Sequence, residues 1–599
     1  MAGDAGRRGV GMQARALIWV ALVAIFTAAA AHLARGQEQR YPVPVALDGT
    51  RGPFRIVFTR DGAIAYVTEF DEGSVAIVDA QRYAVIGHLP TGGEEPTGLA
   101  LTPDERLLLV TNSFDGSLAI LDVAARRPIA SVRLPGMPYD VVVSPDGARA
   151  YVAVSQLDEV AVVDLARREV VARIATGYRP KALALTPDGR TLLAANQTGG
   201  NVSVIDTQAL REVRRVQTPA VNVRDIALSP DGRLAMVTSQ RAQNERPTAT
   251  PIGIWSNQLF PIVVAGPASR LADNIWVDFL TDAGADPDGV VFDPSGERVI
   301  FTCAGGHGVV SIRAISGPMG YEPVVAANVG ANPRGIALRP GGAEVWVASH
   351  LGNRLVVLDP RTLERKREIP LPPASRRDPH LLGRFLFTSA HFIRGKQFTC
   401  FSCHSDGNMD GISWKFVHVK DGLGSDQFRN VRDLRGPLLE TLPLRWTGLE
   451  RDLVHFVKTE VEELLQSHEL SEAEIRALAD YVASLRMPPN PYRQPDGSFT
   501  PAALRGRALF EGKAECSGCH AGPHAGGGAK YDLGFTQNGT PLEVPHLVGV
   551  YDTAPYLHDG RARTLEEVFT RHNPQQTHGK AHLLTPEELQ DLIRYLKEL

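Results

Sequence analysis

Seven copies of one turn word, two C-x-x-C-H words and two capped amphipathic helices predict a multi-domain chain. Its first half is an all-β seven-bladed propeller. Its second half is two mainly α domains, each built around one C-x-x-C-H word. The chain has 599 residues, is 43% hydrophobic and carries a formal net charge of −4. That length implies three or four domains. The near-neutral balance gives no reason to expect nucleic acid or an anionic membrane as partner.

The N-terminus carries Arg7, Arg8 and Arg15, then an apolar run over 16–31, then Ala34-Arg35-Gly36 as a cleavage site. This layout predicts a secretory signal peptide over 1–36. The run is short for a membrane span, and an uncleaved N-terminal anchor is the alternative. Export to the periplasm or outer surface follows from either reading.

Residues 41–369 repeat. The words are Arg60-Asp61-Gly62, Thr102-Pro103-Asp104, Ser144-Pro145-Asp146-Gly147, Thr186-Pro187-Asp188-Gly189 and Ser229-Pro230-Asp231-Gly232. Two weaker copies follow, Asp293-Pro294-Ser295-Gly296 and Arg339-Pro340-Gly341-Gly342. A fixed period marks an array of supersecondary units. Each word is a turn, with Pro presetting φ and Gly taking the left-handed position. Short apolar strands such as Ala182-Leu183-Ala184-Leu185 and Val160-Ala161-Val162-Val163 flank the turns. Four short strands per repeat make a propeller blade. The spacing stretches over 241–292, which reads as a non-repeating insert forming a rim loop against the next domain.

A Pro-rich, basic linker over 370–380 leads into domains at 381–493 and 494–599. Cys400-Phe401-Ser402-Cys403-His404 and Cys516-Ser517-Gly518-Cys519-His520 are c-type haem attachment words. In each, the two thiols form thioethers and the histidine becomes an iron ligand. Both domains are therefore expected to be cytochrome c-like, with His404 and His520 as proximal ligands. Zinc would need further Cys or His ligands, and only Cys303 remains, read as a buried strand thiol. Each domain places a basic-glycine word before its cysteines, Arg394-Gly395-Lys396 and Arg505-Gly506-Arg507. Each ends in a capping box and an apolar stripe: Ser471 and Glu474, then Ile475, Leu478, Val482 and Leu485; Thr585 and Glu588, then Leu589, Leu592, Ile593 and Leu596. The matching spacing implies internal duplication.

Between word and helix the copies also align: Arg429-Asn430-Val431 and Leu444-Arg445-Trp446-Thr447-Gly448 in one, Val544-Pro545-His546 and Ala554-Pro555-Tyr556-Leu557-His558-Asp559-Gly560-Arg561 in the other. Over 380–599 the chain resembles the bacterial dihaem cytochrome c peroxidase/MauG family. Words such as Ala65-Tyr66-Val67-Thr68 resemble the YVTN/lactonase-like propeller repeat.

The resemblance implies two haems c, hydrogen peroxide reduction at the first, and electrons supplied through the second by a small cytochrome or cupredoxin. It places Trp446 between the haems and permits a calcium ion between the two domains. Twelve residues after Gly560, at the family's distal-ligand position, stands His572, with His578 the runner-up; the matching position after Gly448 is Glu460. A second haem closed by His520 and His572 carries electrons, and an open first haem binds peroxide. The family usually has methionine or tyrosine there, so histidine implies a lower potential. Glu460 is the candidate general acid–base, though Glu460-Val461-Glu462-Glu463 reads equally as a solvated helical face. His418 and His455 are alternative ligands for the first haem. Two other functions stay open: electron transfer alone, with the propeller docking a redox partner, or a MauG-like oxidation of a protein substrate. Haem-cd nitrite reductases also join cytochrome c to a propeller. They use eight blades and one covalent haem, against the seven repeats and two haem words here.

Overall fold

The computed structural model describes residues 45–46, 49–244, 254–278, 284–313, 324–326, 328–416, 423 and 427–599. The expected signal over 1–36 and His418 lie outside them. Seven antiparallel sheets form the first half, and each takes its strands from one continuous stretch of chain. In the first, Pro53–Phe58 is followed by Ile64–Glu69, Ser74–Asp79 and Ala84–Pro90, paired in that order. The innermost strands of successive sheets touch, and the first touches the seventh, so the ring closes. Closure rests on side-chain packing, with Ile56, Val67 and Val78 against Trp346, Leu355 and Val357. Among the described residues no strand is exchanged between the first and last blades.

The repeated words lie at the turn between the first and second strand of each blade. Gly147, Gly189 and Gly232 there have φ of 70°, 71° and 69°, which an L side chain adopts at a cost. The preceding hydroxyl closes the turn by donating to the aspartate: Thr102 to Asp104, Thr186 to Asp188 and Ser229 to Asp231, each at 2.6 Å.

The stretch read as an insert differs from expectation. Trp255–Val263 pairs with Leu234–Ala242 as the fifth blade's own third strand, and Arg270–Leu271 continues the sheet. The strand is nine residues long rather than six, and the extra sequence before it obscures the period. Cys303 ends a buried strand of the sixth blade, Arg298–Cys303.

Among the described residues seven α-helices follow: α1 Leu381–Phe387, α2 Cys400–Cys403, α3 Leu453–Thr459, α4 Glu472–Ser484, α5 Pro501–Glu511, α6 Leu565–Phe569 and α7 Pro586–Glu598. Both capping boxes form. The apolar stripes face inward, with Ile475, Leu478 and Val482 buried on α4 and Leu592, Ile593 and Leu596 on α7. Helix α1 crosses α4 and α5 crosses α7 in the same manner. A Cβ on Gly383 would meet Ala477 O at 2.0 Å and Tyr481 Cβ at 2.6 Å; one on Gly506 would meet Asp591 O at 2.0 Å and Tyr595 Cβ at 2.8 Å. Gly383 is thus the counterpart of Gly506. Gly395, expected in that role, sits in a turn at φ 86°. Gly506→Ala must push α5 off α7 and is expected to cost about 1–3 kcal/mol. Denaturant unfolding of the full chain checks this; an unchanged midpoint would contradict it.

The helical half lies on the rim where the innermost strands begin, opposite the repeated turns. Arg384 pairs with Asp71 of the first blade at 2.8 Å, Arg486 with Glu94 of the second at 2.8 Å, and Asp552 with Arg179 of the fourth at 3.0 Å. Residues 45–599 thus form one unit. No helix among the described residues is long and apolar enough to cross a membrane.

Candidate functional site

The second C-x-x-C-H word opens into an apolar cavity lined by Phe535, Val544, Leu547, Val568, Phe569 and Leu596, among others. His520 points into it. Its Nδ1–H donates to Ala525 O at 3.1 Å, which leaves Nε2 free as a ligand. Burial pushes its pKa down, with the Ala525 and Pro545 carbonyls opposing, so the ring is neutral. Across from it stands His578, pushed down to about 4 by burial and by His520. The two ring centroids are 6.2 Å apart. One metal ion held between two imidazole nitrogens, at about 2.0–2.1 Å each, sets that spacing. The cavity and the two imidazoles therefore fit a covalently attached haem.

His572, expected to be the opposing ligand, is not among the cavity's lining residues, and its Nε2 is buried without a partner. The turn after α6 carries His572 away, and the loop Asn573–His578, closed by Asn573 Nδ2 donating to His578 O at 3.0 Å, returns His578 to the cavity. His578→Ala is expected to open the iron's sixth position, and His572→Ala to leave it closed. Cyanide titration followed in the visible spectrum distinguishes them; binding in His572→Ala alone would reverse the assignment.

The first word has the same local plan. His404 Nδ1–H donates to Asn408 O at 3.2 Å, and burial pushes its pKa down to about 4. Helix α2 is fixed by a capping box between Thr399 and Ser402.

The two copies meet around Trp446 and His558. Leu444 bridges Glu450 as Tyr556 bridges Ala562. Within these loops Arg445 and Leu557 take φ 67° and 71°, and Gly448 and Gly560 take φ 57° and 70°. Trp446 and His558 therefore hold equivalent places. Each gives its carbonyl to the other copy: Asn430 N–H donates to His558 O at 2.6 Å and Glu543 N–H to Trp446 O at 2.8 Å. A pseudo-two-fold axis runs between the two rings, which lie edge-to-face at 6.5 Å. Trp446 lines the second cavity, its Nε1–H held by Asn430 O at 2.8 Å and its face covered by Arg432 at 5.3 Å.

Glu460 is not a freely solvated side chain. Its carboxylate lies 3.0 Å from Arg445 Nη2, and its charge is felt at Cys400. His455, by contrast, is exposed on α3 and pairs with Glu450 at 2.7 Å. Asp559 and Arg561 pair with each other at 2.6 Å.

Three residues that the sequence did not single out are central here. Glu543 is a buried carboxylate at the seam, paired with Arg432 at 3.0 Å and pushed up to about 7 by burial, with Arg432 opposing. Asp552 joins three segments, and Asp286 holds the first word. Their partners are distant in sequence, so no local pattern marks them. Among the described residues no three His, Cys, Asp or Glu side chains gather as a bare-metal site, so none offers a carboxylate cage for the calcium ion.

Residues 503–599 match the cytochrome c family model, and 137–246 match that of the cytochrome D1 heme domain. Hydrazine synthase subunit gamma of Kuenenia stuttgartiensis is 28% identical over 274 residues, which cover 36% of this chain and 76% of that one. A solved structure of hydrazine synthase from the same organism is 27% identical with a TM-score of 0.49, covering 54% of this chain and 98% of that one. The chain is a c-type cytochrome with a D1-like seven-bladed propeller, homologous to that gamma subunit, and carries at least one covalent haem in its C-terminal domain. A second, noncovalent haem does not fit the cavity at the propeller axis. That cavity, lined by Arg55, Tyr139, Lys181, Arg224 and Arg334, measures about 10 Å3, the room of one water molecule.

Proposed function

We propose that this is an exported two-haem redox enzyme that reduces hydrogen peroxide at the first C-x-x-C-H word. The observation that carries the two-haem reading is the pseudo-two-fold. Proximal histidine bonded to a nearby carbonyl, helix crossing at a glycine and seam loop recur in both copies. The secretory layout of residues 1–36 supports export, since c-type haem is normally attached outside the bacterial cytoplasm. Bound there, the haems would supply one-electron transfer and, where an iron face is open, reduction of peroxide.

The chain's own residues divide the labour. His578 closes the second site opposite His520, which suits electron carriage. Glu460, held by Arg445, moves the proton from the inner to the outer peroxide oxygen. Trp446 and His558 fill the seam and exclude water from it. A small cytochrome or cupredoxin is the electron donor in this reading.

A second reading rests on the homology. The relative's name assigns it to hydrazine synthase, and 76% of its length is spanned. This chain would then act on a small nitrogen compound within a larger assembly. Peroxide consumption by one-electron-reduced holoprotein, with reduced cytochrome as donor, separates the two. Sustained turnover supports the peroxidase; no turnover, with hydrazine formed or consumed instead, supports the second reading.

A further inference from the structure

The propeller axis ends in a ring of buried polar side chains, and the first C-x-x-C-H word sits on it. Asp286 of the sixth blade is 2% exposed. Its carboxylate accepts from Thr399 Oγ1 and, at 2.6 Å, from Ser402 Oγ. These two residues are the N-cap and third residue of α2. Arg224 neutralises the same carboxylate at 3.2 Å. Asn222 Nδ2–H donates to Ser402 O at 2.5 Å, and Asn222 Oδ1 accepts from Ser405 Oγ at 3.0 Å. Lys181 reaches Asp406 at 2.5 Å. Phe401 lies between the guanidinium groups of Arg224 and Arg334, at 4.6 and 4.9 Å from its ring centre.

Among the described residues the second word makes no such contacts. Its spacer residues, Ser517 and Gly518, are half-buried and exposed, and Ser517 Oγ lies 3.5 Å from Glu511 O. The two spacers thus have different tasks. Phe401-Ser402 is a plug read by the propeller; Ser517-Gly518 is a surface turn. Hydroxyl and carbonyl groups buried this deeply are expensive to leave unpaired, so the fit selects one arrangement of the turn.

We propose that the propeller axis is the socket of the first C-x-x-C-H turn, with Asp286 as the positioning residue that fixes that turn from Thr399 to Ser405. This inference rests on the reading of Cys400–His404 as an attachment site. It gives the propeller a role in setting the first haem's ligand geometry, independent of any outside partner.

Asp286→Asn and Ser402→Ala in the full-length holoprotein test it, with Asp225→Asn as control. Asp225 is an equally buried carboxylate of the axis that pairs with Arg55 at 3.0 Å and is hydrogen-bonded by Val290 N–H at 3.1 Å. Its loss burdens the propeller without releasing the turn. Covalent haem per chain and the low-temperature EPR signal of each haem are read together. Asp286→Asn and Ser402→Ala should change the first haem's EPR signal and leave the second haem's unchanged. Asp225→Asn should change neither. Ser402→Ala keeps the test valid if Asp286→Asn does not fold, because it leaves Asp286 paired with Arg224. Both haem signals unchanged in folded Asp286→Asn and in Ser402→Ala would overturn the socket. A wild-type chain with a single haem, at Cys516–His520, would instead overturn the attachment reading, and the socket with it.

Discussion

Replacing Asp552 with alanine is expected to cost the full chain about 3–5 kcal/mol, the usual penalty for stripping a buried ion pair of one partner. Asp552 Oδ1 pairs with Arg179 of the propeller at 3.0 Å, and Oδ2 pairs with Arg435 of the first haem segment at 2.8 Å. Gln156 and Asn408 add hydrogen bonds, each at 3.0 Å. One C-terminal carboxylate therefore ties propeller, first segment and second segment together. Its removal leaves two buried guanidinium groups facing each other, with Asp433 alone to balance Arg435 at 2.7 Å. Burial raises the Asp552 pKa, but Arg179 and Arg435 more than offset this and leave it lowered. Its stabilisation is therefore present above the unfolded carboxylate value of about 3.9 and is lost as pH falls through the lower folded value. Urea unfolding at neutral pH should give a clearly reduced midpoint for Asp552→Ala. The difference from wild type should shrink in acid. An unchanged midpoint at neutral pH would contradict the three-way tie.

Glu460→Gln is expected to lower peroxide turnover by roughly 10²–10⁴-fold, the range for loss of a positioned general acid–base. Glutamine keeps the size of the side chain and its place 3.0 Å from Arg445 Nη2. What it loses is the ability to take up and release a proton. The loss should therefore fall on kcat, with both haem spectra unchanged. Turnover within a few-fold of wild type would return Glu460 to an ordinary ion pair of the helix surface.

Much of the architecture was legible in short range. The turn words fixed the blade count because proline, aspartate and glycine are dictated locally by one backbone shape. The capping boxes located α4 and α7 for the same reason. Legibility ended where partners are remote. His572 and His578 are six residues apart in one polar loop, and only the path of that loop decides which meets His520. Gly383 stands 17 residues before its cysteine (383 to 400) and Gly506 only 10 (506 to 516), so the shared crossing is invisible to alignment by spacing. The word around Gly395 had the right letters in a turn. Asp286 and Ser402 are 116 residues apart, and their pairing depends on a closed ring of blades.

A two-haem enzyme requires both C-x-x-C-H words to carry haem. The direct measurement is the number of covalently bound haems per chain in the exported holoprotein, by intact mass, with Cys400→Ala/Cys403→Ala and Cys516→Ala/Cys519→Ala variants alongside. Two haems in the wild type, and one in each variant, is the predicted result. One haem in the wild type, retained when Cys400 and Cys403 are removed, would contradict it.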